Sequence, residues 1–193
     1  ESRVHDQFET LVSEGTPATE LRLDEEWIRL DFTGPGTVSG GETDPLLDDV
    51  LVELIEGAEV TLDLALYDFD RANVVDAVLA AFDRGVELRV VGDQDESDAE
   101  GFVSLEAAGV PVVYRPTSSR IMHNKFVVVD ESVVWTGSTN VSDTGMEQNN
   151  NNAIILADED IAAAYTAEFE QMAMDEAFGR SKDDVLSEDY LEE

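Results

Sequence analysis

The stretch HNKFVVVDESVVWTGSTN, residues 123–140, decides the predicted fold. Its two apolar runs, 125–130 and 133–136, predict adjacent strands that meet at a turn around Glu131 and Ser132. His123 and Lys125 are two positions apart, so on a strand their side chains point to the same face. The Gly-Ser-Thr-Asn turn at 137–140 can bring a hydroxyl, an amide and backbone N–H groups to the same rim.

These side chains together suit a phosphate. Lys125 supplies positive charge, Ser138 and Asn140 supply hydrogen bonds, and His123 can attack or carry a proton near neutral pH. Each also has an ordinary interpretation, because single histidines, solvated lysines and Gly-Ser turns are common. Composition favours the chemical interpretation: the chain has only two lysines among 11 basic residues, and one stands beside one of its two histidines.

Outside this stretch the sequence predicts alternating strands and helices. Strands are predicted at 27–32, 60–67, 86–92, 110–114 and 153–157. Helices are predicted from Asp44 and Pro45 to a cap at Gly57, at 73–84, at 102–108, and from a cap at Asp158 to Phe178. This pattern indicates an α/β fold with a mixed β-sheet flanked by helices. We divide the chain into a polar lead-in (1–24), one folded domain (25–180) and an acidic flexible tail (181–193).

The chain is extremely acidic, with 45 acidic and 11 basic residues and a formal net charge of −34 at pH 7. A nucleic-acid mimic would concentrate acidic residues in blocks, whereas here they are scattered through predicted helices and loops. We therefore favour adaptation to near-saturating salt over a functional acidic surface. At about 1 M salt the Debye length is ~3 Å, so this surface would hardly repel a polyanionic substrate.

The residue types that the chain lacks exclude several kinds of site. The chain has no cysteine, which excludes disulfides, cysteine metal sites and a thiol nucleophile. No apolar stretch approaches the roughly 18 residues of a membrane span, so we expect no stable membrane insertion. The chain begins at Glu1 without methionine, as a processed or trimmed product would, and its localisation stays undetermined.

A family resemblance rests on the same stretch. Residues 123–140 match the HxK(x4)D(x6)GSxN signature of the phospholipase D superfamily at all six specified positions, a match rarely met by chance. The resemblance extends to YDFDRANVVDAVLAAFDRGVELRVVGD (67–93), similar to the family's strand–helix–strand, and to YTAEFEQM (165–172), similar to its closing helix. It covers roughly residues 27–178 and is closest to single-motif, endonuclease-like members.

The resemblance implies an α-β-α sandwich and a phosphodiesterase that needs neither metal nor cofactor. His123 would be the nucleophile that forms a phosphohistidine. Lys125, Ser138 and Asn140 would hold the phosphate oxygens. Asp130 belongs to the signature, and we expect it to orient the other catalytic residues without touching the substrate.

One motif is only half of the family's site. The family faces two motifs across a near two-fold axis, because one histidine cannot attack phosphorus and protonate the leaving oxygen on its opposite side at once. His5 lacks the following lysine and the GSxN partner. The second histidine is therefore expected from another chain, most simply in a homodimer. The alternative is that this chain is half of a longer two-motif protein.

The chain departs from its relatives at Asn151. In close relatives, a glutamate about eleven residues after the GSxN asparagine helps to orient the histidine, and the matching position here is Asn151. Asn151 could accept the His123 N–H through its carbonyl, Glu147 could reach in instead, or the asparagine run could simply be a polar loop. A neutral asparagine would stabilise an imidazolium less than a carboxylate would.

Three functions follow. The first is a nuclease acting on DNA or RNA, although no basic stripe favours tight binding at ordinary salt. The second is a phospholipase D or phosphatidyltransferase acting on lipids, which the lack of a basic amphipathic helix disfavours. The third is a catalytically weak or inactive acidic interaction module.

Overall fold

The computed structural model describes residues 23–25, 27–33, 47–118 and 120–183. The predicted helix start at Asp44 and Pro45 lies outside these residues. So does nearly all of the predicted lead-in (1–24) and most of the predicted tail (181–193).

An eight-stranded sheet forms the centre of the fold, in the order β1-β2-β8-β7-β6-β3-β4-β5. The strands are β1 (Leu23–Glu25), β2 (Ile28–Phe32), β3 (Thr61–Leu66), β4 (Glu87–Asp93), β5 (Val112–Arg115), β6 (Lys125–Val129), β7 (Val133–Gly137) and β8 (Asn152–Ala157). β3, β4 and β5 pair in parallel, and every other pairing is antiparallel. Helical crossovers impose the parallel pairs, whereas the tight turn between β6 and β7 imposes an antiparallel one. The predicted mixed sheet is confirmed.

Helices cover both faces of this sheet. They are α1 (Leu47–Glu56), α2 (Ala72–Arg84), α3 (Glu100–Ala107), α4 (Asp143–Glu147) and α5 (Glu159–Ala173). Apolar residues of α1, α2 and α3 form one core with Leu62, Leu64 and Leu66 of β3. Phe169 and Met172 of α5 form the second core on the opposite face. The fold is therefore an α-β-α sandwich.

β6 lies at the centre and is buried along its whole length. Val127 and Val129 face the first core, whereas Phe126 and Val128 face the second, as the two-residue period of a strand requires. A strand buried on both faces has an unbroken apolar sequence. This is why the run that follows Lys125 contains no polar residue.

The register brings several strand ends to one edge of the sheet. Leu66 at the end of β3 pairs with Lys125 at the start of β6. Gly137 at the end of β7 pairs with Ala153, and Phe32 pairs with Asn152. The carboxyl ends of β4 and β5 reach the same edge because both run parallel to β3.

The last helix is shorter than predicted. Its start is confirmed: the Asp158 carboxylate accepts hydrogen bonds from the N–H groups of Asp160 (3.1 Å) and Ile161 (3.0 Å). The helix ends at Ala173, and Glu176 adopts a left-handed conformation with φ 49°. By leaving the helix, the chain packs Phe178 onto the second core.

One short helix was not predicted. α4 begins after Ser142, whose hydroxyl accepts a hydrogen bond from Gly145 N at 3.3 Å. Five residues are too few to show a helical period. Within the described part of the chain, none of the helices has the length and apolar character to cross a membrane.

Candidate active site

The sheet edge gathers most of the predicted site residues. Lys125 begins β6, and His123 lies two residues before it. Ser138 directly follows β7, and Asn151 directly precedes β8, its neighbour in the sheet. The backbone bond from Tyr67 N to Asn124 O (3.1 Å) extends the β3–β6 pairing to this edge. Residues distant in sequence therefore meet because of strand register.

Lys125 is buried, with 7% of its surface exposed. Its ammonium donates a hydrogen bond to the carbonyl oxygen of His123 (3.0 Å) and lies 5.3 Å from the ring centroid of Tyr67. Burial lowers the pKa of Lys125 to about 8, and the charge of Asp68 opposes that shift only in part. The ammonium is thus a poorly hydrated charge, suited to an anionic ligand.

His123 is exposed at the mouth of the site. Its ring stands edge-on to Tyr67, with 4.9 Å between ring centroids and 63° between planes. Partial burial and then the positive charge of Lys125 lower the pKa of His123 from its ordinary 6.5. The imidazole is therefore neutral near pH 7, which is the form that can act as a nucleophile.

Ser138 and Asn140 follow a glycine that the local geometry requires. Gly137 has φ 153°, and a Cβ there would lie 2.2 Å from the backbone oxygen of Asn152. Ser138 Oγ lies 2.9 Å from Asn152 Oδ1 and accepts a hydrogen bond from Asn152 N (3.1 Å). Asn140 Oδ1 is buried without a hydrogen-bond partner in the described part of the chain. An amide oxygen has no proton to give, so Asn140 could hold a phosphate oxygen only through its Nδ2 donor.

Asn151 contacts Ser138, not His123. Its Oδ1 accepts a hydrogen bond from the Ser138 hydroxyl (3.0 Å), and its Nδ2 donates to Gly145 O (2.9 Å). The expectation that its carbonyl accepts the His123 N–H is therefore not what the structure shows. Asn151 therefore holds the Ser138 hydroxyl, whose single proton would have to leave Asn151 Oδ1 before it could reach an anionic ligand.

Glu147, the alternative partner for His123, points elsewhere. It forms an ion pair with Arg71 at 2.6 Å. The same guanidinium contacts the buried Asp48 (2.6 Å) and Asp143 (2.8 Å), so Arg71 joins α1 to α4. The carboxylates around it raise the pKa of Arg71. Glu147 thus contributes to packing around the site and does not compensate for the missing glutamate.

Asp130 lies at the opposite end of β6 from Lys125. The two are five positions apart, or about 17 Å along an extended chain. The Asp130 carboxylate accepts hydrogen bonds from the backbone N–H groups of Glu59 (3.0 Å), Val60 (2.7 Å) and Thr61 (2.9 Å). It therefore fixes the start of β3 against β6. The structure does not bring Asp130 to the other site residues.

Sequence reasoning missed Tyr67 and Asp68. Tyr67 contacts both His123 and Lys125. Asp68 is half-buried, accepts a hydrogen bond from Ser142 and has its pKa raised chiefly by burial. Both directly follow β3, and their position at the carboxyl end of a strand was the signal that could have identified them.

Side-chain titration by NMR tests the electrostatics of the site. We expect the Lys125 ammonium to titrate near pH 8, well below its ordinary 10.5, and His123 to titrate below 6.5. The chain has two lysines and two histidines, so Lys182→Arg and His5→Gln variants assign every resonance. A Lys125 pKa near its ordinary value would refute the buried-ammonium description.

The Asp130→Asn variant tests the structural role of that residue. We expect a loss of about 1 kcal/mol in the free energy of unfolding at pH 7, measured with urea, since a partly solvated carboxylate loses its charge. Hydrogen bonds from three backbone N–H groups outweigh burial and lower the pKa of Asp130 below 3.8. Its contribution is therefore complete above pH 4 and is lost as the pH falls through the folded-state value.

The matched control for this variant is Glu131→Gln. Glu131 is exposed and has the same left-handed backbone (φ 52°, against 50° for Asp130). It should unfold like the wild-type protein at every pH. If Asp130→Asn behaved like this control, the proposed anchoring of β3 would be wrong.

The sequence is similar to a family of PLD-like domains and to several mitochondrial cardiolipin hydrolases. The family described as "Cardiolipin synthase, PLD-like domain" matches residues 51–173. The mitochondrial cardiolipin hydrolase of Xenopus laevis is 38% identical over 132 residues, which are 67% of this chain and 62% of that protein. Its counterpart from Drosophila melanogaster is 32% identical over 144 residues, covering 63% and 56%. The chain thus matches less than two thirds of the length of these relatives.

Solved structures share the fold. The crystal structure of the phospholipase D family member Nuc from Salmonella typhimurium aligns with a TM-score of 0.62 at 19% identity, covering 75% of this chain and 91% of Nuc. The family match spans more than half of the sequence and includes every position of the signature in residues 123–140. The chain therefore belongs to the PLD-like domain family, within the phospholipase D superfamily.

Proposed function

We propose that this protein is a metal-independent phosphodiesterase that works through a phosphohistidine on His123, with a nucleic acid as its first candidate substrate. The observation that carries the proposal is the pairing of an exposed, neutral His123 with the buried ammonium of Lys125 at one sheet edge. Membership of the superfamily supports a phosphodiesterase.

In the first step a His123 ring nitrogen attacks phosphorus in line. A P–N bond forms as the P–O bond to the leaving alkoxide breaks, and the alkoxide takes a proton from a second histidine. Lys125, Ser138 and Asn140 neutralise and hold the non-bridging oxygens, where charge accumulates. Water, deprotonated by that second histidine, then cleaves the P–N bond and releases a phosphate monoester.

The second histidine is proposed to come from a second copy of the chain. In-line displacement places attacking and leaving groups on opposite sides of phosphorus, beyond the reach of one imidazole. An isologous dimer would place two copies of the same edge face to face. The other source is a second motif in a longer polypeptide. Asp130 acts in this scheme only by holding β6 to β3.

The composition of the mouth favours a water-soluble polyanion. Exposed residues in the segments that adjoin the site residues are mainly polar, although Ile121 is apolar and 45% exposed; the polar ones include Thr117, Ser118, Arg120, Ser138, Asn149 and Asn150. An enzyme that works on a bilayer needs an apolar or basic surface to approach it. The net charge of −34 would oppose binding to nucleic acid at low salt. We therefore propose that the enzyme works in concentrated salt, as a halophile's protein would.

A phospholipid of the cardiolipin type is the second candidate substrate. It is supported by the names of the relatives, which are mitochondrial cardiolipin hydrolases. The same site chemistry would cleave its phosphodiester. The same phosphate-binding groups of the protein would serve a nucleic acid and a phospholipid. The two substrates would differ only in what they need from the surface around the site.

Turnover assays separate these candidates. The protein in molar KCl and EDTA is offered single- and double-stranded DNA, RNA, a generic phosphodiester and cardiolipin vesicles. We expect cleavage of nucleic acid, complete loss with His123→Ala, and a bell-shaped pH profile. Activity should fall in acid as the nucleophilic His123 is protonated. It should fall in alkali as the second histidine loses the proton that it gives to the leaving oxygen, and as Lys125 loses its proton near pH 8.

Three outcomes would contradict the proposal. Cleavage of cardiolipin vesicles alone would favour the second substrate. Turnover that survives His123→Ala, or that requires a divalent metal, would refute the mechanism. The absence of turnover on every substrate, at both low and molar salt, would favour an inactive interaction module.

A further inference from the structure

We propose that the acidic segment 93–96, here called the acidic clamp, positions both His123 and Lys125 for the reaction. The side chains of this segment that make the contacts are Asp93, Asp95 and Glu96. The segment ends β4 and forms a short 3-10 helix, Gln94–Glu96, beside the site. The reading of these carboxylates as simple salt adaptation does not account for their contacts. The inference deepens the proposed function and rests on it for its kinetic consequences.

Asp93 holds the backbone next to the nucleophile. It is fully buried, and its Oδ2 accepts a hydrogen bond from the N–H of Met122, the residue before His123, at 2.5 Å. Its Oδ1 accepts the N–H of Asp95 at 3.1 Å. A buried carboxylate is costly unless it is paired, and Arg115 lies 3.9 Å away. The position of Met122, and with it the backbone of His123, is therefore fixed by charge-assisted hydrogen bonding.

Further contacts hold the loop that leads to His123. The Arg115 guanidinium donates to Ser118 Oγ (2.6 Å) and to the carbonyl oxygen of Arg120. Asp95 Oδ1 accepts a hydrogen bond from Thr117 Oγ1 at 2.9 Å. The loop is thus attached to the ends of β4 and β5 at several points. Its last residue before the nucleophile, Met122, is itself buried.

Glu96 acts through Tyr67. A hydrogen bond between the Tyr67 phenol and Glu96 raises the pKa of Tyr67 to about 12. The Tyr67 ring packs edge-on against His123 and lies 5.3 Å from the Lys125 ammonium. Fixing this one ring restricts both side chains. Near-attack geometry depends on such restraint, and a displacement of about 1 Å can cost on the order of 100-fold in rate.

The clamp can be tested with Asp93→Asn, Glu96→Ala and Glu96→Gln. The N–H groups of Met122 and Asp95 bind different oxygens of Asp93, and an asparagine replaces one of these oxygens with an NH2 donor, so one N–H group loses its acceptor. An alanine at 96 releases the Tyr67 phenol, whereas a glutamine can still accept its hydrogen bond. Asp98→Asn is the matched control, because Asp98 is an exposed carboxylate two residues beyond the clamp. It changes net charge by the same amount.

We expect Asp93→Asn and Glu96→Ala each to lower kcat about 10-fold or more, with KM within about twofold of wild type. Glu96→Gln should recover most of the kcat lost in Glu96→Ala, and Asp98→Asn should match wild type. Rescue by glutamine and a loss confined to kcat separate positioning from a general change in charge or stability.

NMR supplies a readout that needs no turnover. The Met122 amide should exchange with solvent at least about tenfold faster in Asp93→Asn, since its buried acceptor is weakened. The His123 ring-proton shifts should move toward those of free histidine in Glu96→Ala and much less in Glu96→Gln. If the wild-type protein cleaves nothing, the proposed function fails, and these spectra still decide whether the clamp exists.

Specific results would overturn the inference. One is a wild-type kcat in both Asp93→Asn and Glu96→Ala. Another is a loss of kcat in the control Asp98→Asn that equals the loss in these variants. The third is a change in KM with no change in kcat. Unchanged Met122 exchange and unchanged His123 shifts would do the same. If Asp93→Asn does not fold, the two Glu96 variants decide, because their side chain lies in a partly exposed helical turn.

Discussion

The antiparallel pairing of β6 with both β3 and β7 is the constraint on which the site depends. Pairing with β3 places Lys125 beside Leu66, and therefore beside Tyr67 and Asp68. Pairing with β7 brings the turn after Gly137 to the same edge. β6 is buried on both faces. A slip of one residue would therefore turn each of its side chains toward the opposite core, so packing specifies the register. The register that fills the cores also assembles the site.

Burial of Lys125 links that packing to chemistry. Withdrawing an ammonium from water is unfavourable, and here it is offset by one carbonyl hydrogen bond, one aromatic face and one half-buried carboxylate. The group therefore gains more from an incoming phosphate than a solvated lysine would. Partial burial of His123, and then the charge of Lys125, lower the pKa of His123. The buried charge of Lys125 thus acts both on an incoming phosphate and on the neighbouring histidine.

The mixed sheet and the adjacent strands β6 and β7 were predictable from the sequence, because both follow from short-range patterns. The two valine runs predicted β6 and β7, whereas His123, which was expected on a strand with Lys125, lies two residues before β6. Asp130 was expected to orient the other catalytic residues, but it lies beyond the opposite end of β6 from Lys125 and binds the backbone at the start of β3.

Contacts between distant segments were not predictable in this way. Asn151 was one of the candidate partners for His123 but contacts Ser138, because the register of β7 against β8 decides its neighbour. Glu147 was an alternative but pairs with Arg71, which is 76 residues away. Asp93 resembled any other carboxylate of an acidic chain until its burial was known. Such partners depend on tertiary packing and leave no local signal.

Subunit mixing tests most directly the central claim that this chain carries half of a catalytic site built on His123. Wild-type and His123→Ala chains are combined in equal amounts by co-refolding, and activity is measured per wild-type chain in molar KCl. If each site needs a histidine from both chains, mixed dimers are inactive and activity per wild-type chain falls to about half. Activity per wild-type chain that stays unchanged would contradict the claim.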